Sequence, residues 1–302
     1  MTTSRVMRTV RLRGGNSVIN EFLGADENIH PLTAVASRGG EARSVRTPSR
    51  CYAQLHILGD WNLVAGWGDS TDSDPLPITL APDPQHLIAF LALHGRSARA
   101  QVAGTLWPQH TDQVATSRLR ALLWRLRHRY PDLPPLLEIS DLSLALTRNV
   151  LVDVDGFAAA AQSLIRCTGD LDEEAATIVL DSAELLPGWY DDWVLAARER
   201  LWHLRLGALD ALATKLHAQQ RHHEALLAAL AASRIEPLRE SSHRTIARIH
   251  LDNGNIFEAV RHYERFQLLL DRELGLRPSE RFTDLMRPYL RRTPTRRVVE
   301  VR

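Results

Sequence analysis

The stretch ATSRLRALLWRLRHRY, residues 115–130, carries five arginines on a pattern of leucines. Leu119, Leu122 and Leu126 recur at three- and four-residue spacing, which predicts a helix with one apolar stripe. A folded protein buries such a stripe, so the arginines must face water, carboxylates or phosphates. What these arginines contact is therefore the main question about function.

The charges of the chain are segregated, although the formal net charge is only +1. Residues 94–130 contain seven arginines and one acid, which gives a local net charge of +6. Residues 131–200 contain fourteen acids and four arginines, which gives a local net charge of −10. This pattern is typical of a chain in which one half binds a polyanion and the other binds something else.

The composition argues against several classes of protein. No apolar run approaches the length of a membrane span, and residues 1–30 lack a signal-peptide pattern. The two cysteines, Cys51 and Cys167, indicate a cytoplasmic protein without a disulfide framework or a zinc site. The GxxxxGKS/T, HExxH and GxSxG motifs are absent, so we expect no cofactor, no metal site and no enzymatic activity.

Residues 51–150 have the element order of a winged helix. The predicted elements are two strands around Gly59-Asp60, a strand at 76–80, helices at 85–94, 97–106 and about 112–130, and strands at 136–139 and 142–147. Ser97 is the predicted cap of the second helix. The last strand alternates, with Leu142, Leu144 and Leu146 on one side. In this order the second and third helices form a helix-turn-helix, and the final hairpin is the wing.

The rest of the chain is predicted to be helical, apart from its termini. Residues 1–50 are predicted to be a disordered basic arm, and residues 291–302 a basic tail. Helices are predicted over 156–167, 171–186, 191–219, 221–235, 238–252, 255–273 and 278–290. HHEALLAAL, which contains Ala225, aligns with IFEAVRHYE, which contains Ala259, at an offset of 34 residues. This is the tetratricopeptide period, in which a small residue lets paired helices approach closely.

Four aromatic residues cluster where the longest predicted helix begins: Trp189, Tyr190, Trp193 and Trp202. Aromatic residues at such spacing usually belong to the core, and that is the prediction here. The alternative is a face that packs against the winged helix or against a partner.

With these motifs the chain resembles the Streptomyces antibiotic regulatory proteins over residues 52–290. The resemblance is carried by HLIAFLALHGRSARAQVAGTLWP, SRLRALLWRLR, LVDVDGF, DDWVLAARERLWHLRLGALDALA and FEAVRHYERFQLLLDRELGLRPSERF. It implies an OmpR-like winged helix at 51–150 and an all-helical, tetratricopeptide-like bacterial transcriptional activator domain at 151–290. It also implies an activator that binds promoter direct repeats as a head-to-tail dimer and recruits RNA polymerase.

The sequence departs from the family pattern at two positions. Asp141-Leu142 stands where the family wing usually has Gly-Tyr, and Trp124 stands where the third helix usually has a small polar residue. An indole on a helix either contacts DNA or packs, and the sequence leaves both open for Trp124. The differences also leave open a second function, a protein-interaction module whose winged helix has lost specific DNA binding.

The predicted DNA-binding residues lie on the third helix and after the wing. The base-facing candidates are spaced on the side opposite the leucines: Ser117, Arg120, Trp124 and Arg127. Arg118 and Arg125, seven residues apart on a flank, are better placed for phosphates. Thr116 on the same helix and Arg148 after the wing complete the set.

The predicted function is therefore sequence-specific binding of double-stranded promoter DNA by a mainly α, winged-helix transcriptional activator in the cytoplasm. RNA polymerase and a second copy on DNA are its expected partners, and no membrane is involved. An enzyme that uses the histidine-rich helices is the remaining alternative.

Overall fold

The computed structural model describes residues 51–67, 76–130, 134–166 and 169–290. The predicted basic arm and basic tail lie outside these described residues. Within them, small β-sheets and three helices come first and a run of helices follows. The predicted mainly α class, a winged helix followed by a helical repeat domain, is confirmed.

The strands of the described part form two small sheets. The strands are β1 (Cys51–His56), β2 (Asn62–Trp67), β3 (Leu76–Pro77), β4 (Ser97–Ala98), β5 (Leu137–Ile139), β6 (Ser143–Leu146) and β7 (Val150–Val152). The first sheet has the order β3-β2-β1-β7, with β7 parallel to β1. The second has the order β4-β6-β5, and its β5–β6 hairpin is the predicted wing.

Three helices lie between these strands: α1 (Pro82–His94), α2 (Arg99–Leu106) and α3 (Asp112–Arg129). Proline opens α1, since its missing N–H group needs no partner in the first turn. Gly95 ends α1 with a φ of 66°, in a region of backbone conformation that favours glycine. Each of these helices lies within a few residues of its predicted position.

Three local predictions in this half are wrong. Ser97 does not cap α2: it pairs with Leu144 as part of β4, and its hydroxyl donates to the carbonyl of Gly95 at 3.2 Å. The third strand covers only Leu76–Pro77 rather than 76–80. Leu142 does not share a buried side with Leu144, because it lies at the hairpin turn and is 82% exposed.

The second half consists of helices joined by shorter connections in its described residues. Its helices are α4 (Asp153–Arg166), α5 (Glu173–Asp181), α6 (Asp192–Ala218), α7 (His222–Ile235), α8 (Glu240–Asp252), α9 (Ile256–Leu274) and α10 (Glu280–Leu290). The aligned alanines, Ala225 on α7 and Ala259 on α9, are both fully buried. Small side chains there let α7 pack against α6 and α9 against α8, as the 34-residue repeat predicts.

The two halves share one hydrophobic core. The same cluster contains Leu87 of α1, Leu119 of α3 and, from α6, Trp193 and Val194. The β7 strand, which pairs with β1, also spans the predicted domain boundary at 150/151. The winged helix and the start of α6 therefore fold against each other, and the position of the boundary stays a prediction.

A pair of histidines lies in the contact between α8 and α9. Nε2 of His243 bonds the carbonyl of Pro237 at 2.9 Å, and its Nδ1 lies 3.0 Å from Nε2 of His262. Burial lowers the pKa of His243. Burial also lowers the pKa of His262, to about 4, and the nearby His243, His250 and Arg265 add to this.

This histidine pair makes stability depend on pH. The pKa of His262 lies below the ordinary value of 6.5, so the unfolded chain takes up the proton first as the pH falls. This protonation does not reduce the free energy of unfolding above about pH 6.5. Between about pH 6.5 and pH 4 it lowers the free energy of unfolding by about 3 kcal/mol in all. We expect the free energy of unfolding in urea to fall between pH 7 and pH 5 by about 2 kcal/mol more in the wild type than in His262→Gln. An equal fall in both proteins would contradict this assignment.

Candidate DNA-binding surface

The leucine stripe of α3 is buried, as its spacing predicts. Leu119 and Leu122 are fully buried, and Ala115, Leu123 and Leu126 accompany them on the same side. All of these except Leu126 belong to the core cluster shared with α1 and α2. Because one side of α3 is fixed in this way, its polar side chains are directed to the surface.

The structure exposes nearly all the residues predicted to contact DNA. Those with exposed positions are Ser117, Arg118, Arg120, Trp124, Arg125, Arg127 and Arg148, whereas Thr116 is half-buried. Arg120 and Arg127 form no hydrogen bond, ion pair or ring contact among the described residues. The hydroxyl of Ser117 donates to the carbonyl of Gln113 at 2.9 Å, so its oxygen remains able to accept another bond.

The two flank arginines are held by neighbouring elements. The guanidinium of Arg118 lies 5.7 Å from the ring centroid of Trp107 and contacts His110. Arg125 lies 3.5 Å from the carboxylate of Asp83 at the start of α1. Exposed pairs of this kind are weak, so they orient the arginines without preventing a stronger contact to phosphate.

No arginine of α3 forms an ion pair with an acid of residues 131–200 in the part that the structure describes. In those described residues, the ion pair that α3 does form joins Arg125 to Asp83, which lies in the first half of the chain. Arg118 does line an open cleft of about 270 Å³ together with Asp83, His86 and Asp191. The acidic half therefore leaves most of the positive charge of α3 unneutralised.

Trp124 packs on α3 itself rather than in a core. Its side chain is 62% exposed, and its ring stacks on His128 with centroids 4.3 Å apart and planes 21° apart. Nδ1 of His128 also lies 2.8 Å from the backbone carbonyl of Trp124. The pair presents a flat aromatic surface on the outward face of the helix.

The wing is tied to the start of α2. The backbone N–H of Arg99 donates to the carbonyl of Leu142 at 2.9 Å. The guanidinium of Arg99 donates to the carbonyl of Ser140 at 3.2 Å. Arg96 forms an ion pair with Glu138 of β5. The sequence did not predict Arg96 or Arg99 as DNA-binding residues, because their position in an arginine-rich segment was the only sign of such a role.

The aromatic cluster at the start of α6 packs on α1. Trp189 stacks on His86 with centroids 4.1 Å apart, and Trp193 meets the edge of Phe90 at 5.5 Å. Trp193 is buried in the shared core, as predicted, and Trp189 packs against that core. Because α1 supplies these contacts, the alternative prediction, a face against the winged helix, is also right for these two tryptophans. Tyr190, in contrast, is exposed, and Trp202 packs on the second core cluster, within the helical half.

The LVDVDGF motif and the loop before α6 form a second link between the halves. Both oxygens of the Asp153 carboxylate accept bonds of 3.1 Å or less from the N–H groups of Ile57 and Leu58. Burial raises the pKa of Asp153, and the hydrogen bonds from the N–H groups of Leu58 and Ile57, together with the nearby His56, oppose that rise. The N–H of Leu186 in turn donates to the carbonyl of Ile57 at 2.9 Å.

Arg198 of α6 holds that loop in place. Its guanidinium donates to the carbonyls of Leu185, Leu186 and Trp189 at 2.9–3.1 Å. Leu186 has a φ of 41°, an uncommon conformation for a residue other than glycine. The arginine thus fixes a strained turn against the first sheet.

Two kinds of feature are absent from the described residues. Among them, no group of three or more His, Cys, Asp or Glu side chains could hold a metal ion. In the same part of the chain, no helix is long and apolar enough to cross a membrane.

Residues 153–289 match the family model described as the bacterial transcriptional activator domain. The helical half is such an activator domain. This match agrees with the activator domain that the resemblance to the Streptomyces antibiotic regulatory proteins implies, and it indicates a regulator of transcription. Domains of this kind belong to regulators of transcription and to no known class of enzyme.

The activator domain and the winged helix together have a fold already seen in a solved structure. The structure of Mycobacterium tuberculosis EmbR in complex with a low-affinity phosphopeptide is similar, with a TM-score of 0.57 and 15% sequence identity. The similarity covers 82% of this chain and 67% of that chain. No curated protein is significantly similar to the chain in sequence.

Proposed function

We propose that this regulator is a sequence-specific, DNA-binding transcriptional activator that uses α3 in the major groove of promoter DNA. The observation that carries the proposal is the exposed positive face of α3, on which Arg120 and Arg127 have no partner in the described residues. Phosphates and guanine edges are the groups that such arginines bind best.

The roles divide according to position on the helix. Arg120 and Arg127 donate to base edges, with Ser117 and the Trp124 ring beside them. Arg118 and Arg125 lie on the flank towards α1 and α2, and contact the phosphate backbone. Thr116 and Arg148 extend the contact at the two ends, with Arg148 beside the wing.

The family resemblance supports the rest of the proposal. Two copies bind direct repeats head to tail, and the activator domain recruits RNA polymerase. The second candidate function is a protein-interaction module that no longer binds specific DNA. The motivating observation is the wing, where the exposed Leu142 replaces the aromatic residue usual in the family.

The deciding experiment is binding to promoter DNA upstream of the protein's own and neighbouring genes, with random-sequence competitor, at two salt concentrations. Retained sequence preference with a steep salt dependence supports the activator. Binding without sequence preference, or none, supports the interaction module.

The salt dependence also tests the phosphate role of Arg118. We expect Arg118→Ala to reduce the slope of log affinity against log salt by about 0.9, because one fewer counterion is released. Sequence preference should be retained, and Arg118→Lys, which keeps the charge, should keep the slope. A loss of sequence preference in Arg118→Ala would instead assign this side chain to a base.

A further inference from the structure

The outward face of α9 carries two large apolar side chains. Phe257 and Leu268 are each 71% exposed. Arg261 and Glu264 lie between them and are also exposed, and Ile256 adds apolar surface at the start of the helix. Large apolar side chains that recur on one exposed helix face mark a contact site more often than isolated ones do.

These side chains share one face of the helix. Phe257, Arg261, Glu264 and Leu268 follow the spacing i, i+4, i+7, i+11, which returns to the same side of a helix at every step. The buried residues of α9, among them Tyr263 and Phe266, lie on the opposite side against α8 and α10. Phe257 and Leu268 stand about 16 Å apart along the axis.

The face is self-complementary. Its four residues are symmetric about the midpoint between His262 and Tyr263, with one positive and one negative charge at equal distances from that point. When a second α9 runs antiparallel across the face, Phe257 meets Leu268 of the second copy and Arg261 meets Glu264. The same two contacts then occur twice, as in any two-fold interface.

We propose that α9 is a dimerisation surface whose occupant is α9 of a second copy, antiparallel and in this register. The charge pattern favours a second copy over an unrelated partner, because each charge of the face then lies opposite its counter-charge in the second chain. Within the described residues of one chain, Arg261 forms only an exposed pair with Glu258 at 3.7 Å, and such pairs are weak. One helix pair covers less area than a standard stable interface, so the dimer is weak, with a dissociation constant of about 1 μM or higher.

This contact is separate from the proposed head-to-tail pair on a direct repeat. A two-fold axis reverses the direction of the second chain, whereas a direct repeat keeps both chains in one orientation. The α9 contact therefore joins chains that are bound at separate sites or free in solution, and it does not depend on DNA binding.

Sedimentation of the full chain over a range of concentrations tests the register by exchanging its charges. Arg261→Glu and Glu264→Arg, each alone, place like charges opposite each other at two points and should weaken the dimer by about tenfold or more. The double variant Arg261→Glu/Glu264→Arg restores both pairs and should return to within about threefold of the wild type. Arg281→Glu on α10 is the matched control and should have no effect.

Three results would overturn the proposal. A double variant as weak as the single ones would exclude this register. A dimer that none of the exchanges affects would place the interface elsewhere. A monomer at every concentration would assign the face to another protein or to residues 291–302.

Cross-linking provides a second measurement that does not depend on charge. In a chain with Cys51→Ser and Cys167→Ser, a mixture of the Phe257→Cys and Leu268→Cys proteins should form a disulfide-linked dimer on oxidation. Phe257→Cys alone should not, because its two thiols would lie about 16 Å apart, far beyond disulfide reach. A disulfide in the Phe257→Cys protein alone would indicate a parallel pairing and contradict the proposal.

Discussion

Replacing both Arg120 and Arg127 with alanine is expected to weaken operator binding by between about 30-fold and about 20,000-fold. Each bidentate contact of an arginine with guanine contributes about 1–3 kcal/mol, and two contacts are removed. Folding should be unaffected, since both side chains are exposed and form no hydrogen bond, ion pair or ring contact among the described residues. The measurement is the affinity for promoter DNA, and for DNA selected from a random pool by the wild type.

A matched control separates base contacts from general loss of charge. Arg277→Ala/Arg281→Ala also removes two exposed arginines, but from the segment before α10 and from α10 itself. It should change the affinity by less than about threefold, because charges farther than about 10 Å from the DNA are largely screened at 0.1 M salt. An equal loss in both double variants would show that α3 binds through charge alone. Unchanged binding in the α3 variant would remove this helix from the interface.

The second large effect concerns the core shared by the two halves. Trp193→Ala is expected to lower the free energy of unfolding by about 3–5 kcal/mol, as is usual for a buried aromatic residue. Its ring is 7% exposed and packs against Phe90 and His94 of α1. The loss should therefore appear in a single unfolding transition that involves both halves, measured in urea by circular dichroism.

Trp124→Ala is the matched control for a tryptophan outside the core. Among the described residues its ring stacks only on His128, so stability should change by no more than about 0.5 kcal/mol. The affinity for DNA should fall, since the ring lies among the base-facing candidates. Two separate transitions, of which Trp193→Ala shifts only one, would contradict the shared core.

Local periodicity was sufficient to predict the helices and the buried side of α3. The leucine spacing of residues 119–126 is repeated in every turn, so no distant contact is needed to determine which side is buried. The 34-residue repeat predicted Ala225 and Ala259 as equivalent close-packing positions in the same way, through spacing alone.

Predictions that depend on distant partners were less successful. Ser97 has the chemistry of a helix cap, yet pairing with Leu144 places it in a strand. The spacing of Trp189 and Trp193 predicts burial but does not specify α1 as the element that covers them. In the candidate site, the sequence likewise did not predict the ion pair between Arg125 and Asp83, because Asp83 lies 42 residues earlier in the chain.

The bonds from Asp153 to the turn after β1 have a consequence for the proposed binding to promoter DNA. They join the winged helix to the activator domain without a free linker, and the shared core does the same. With α3 in the major groove as proposed, the activator domain keeps a constant direction around the DNA axis. Since B-DNA completes a turn in about 10.5 base pairs, the spacing between operator and promoter decides which side of the double helix the activator domain occupies.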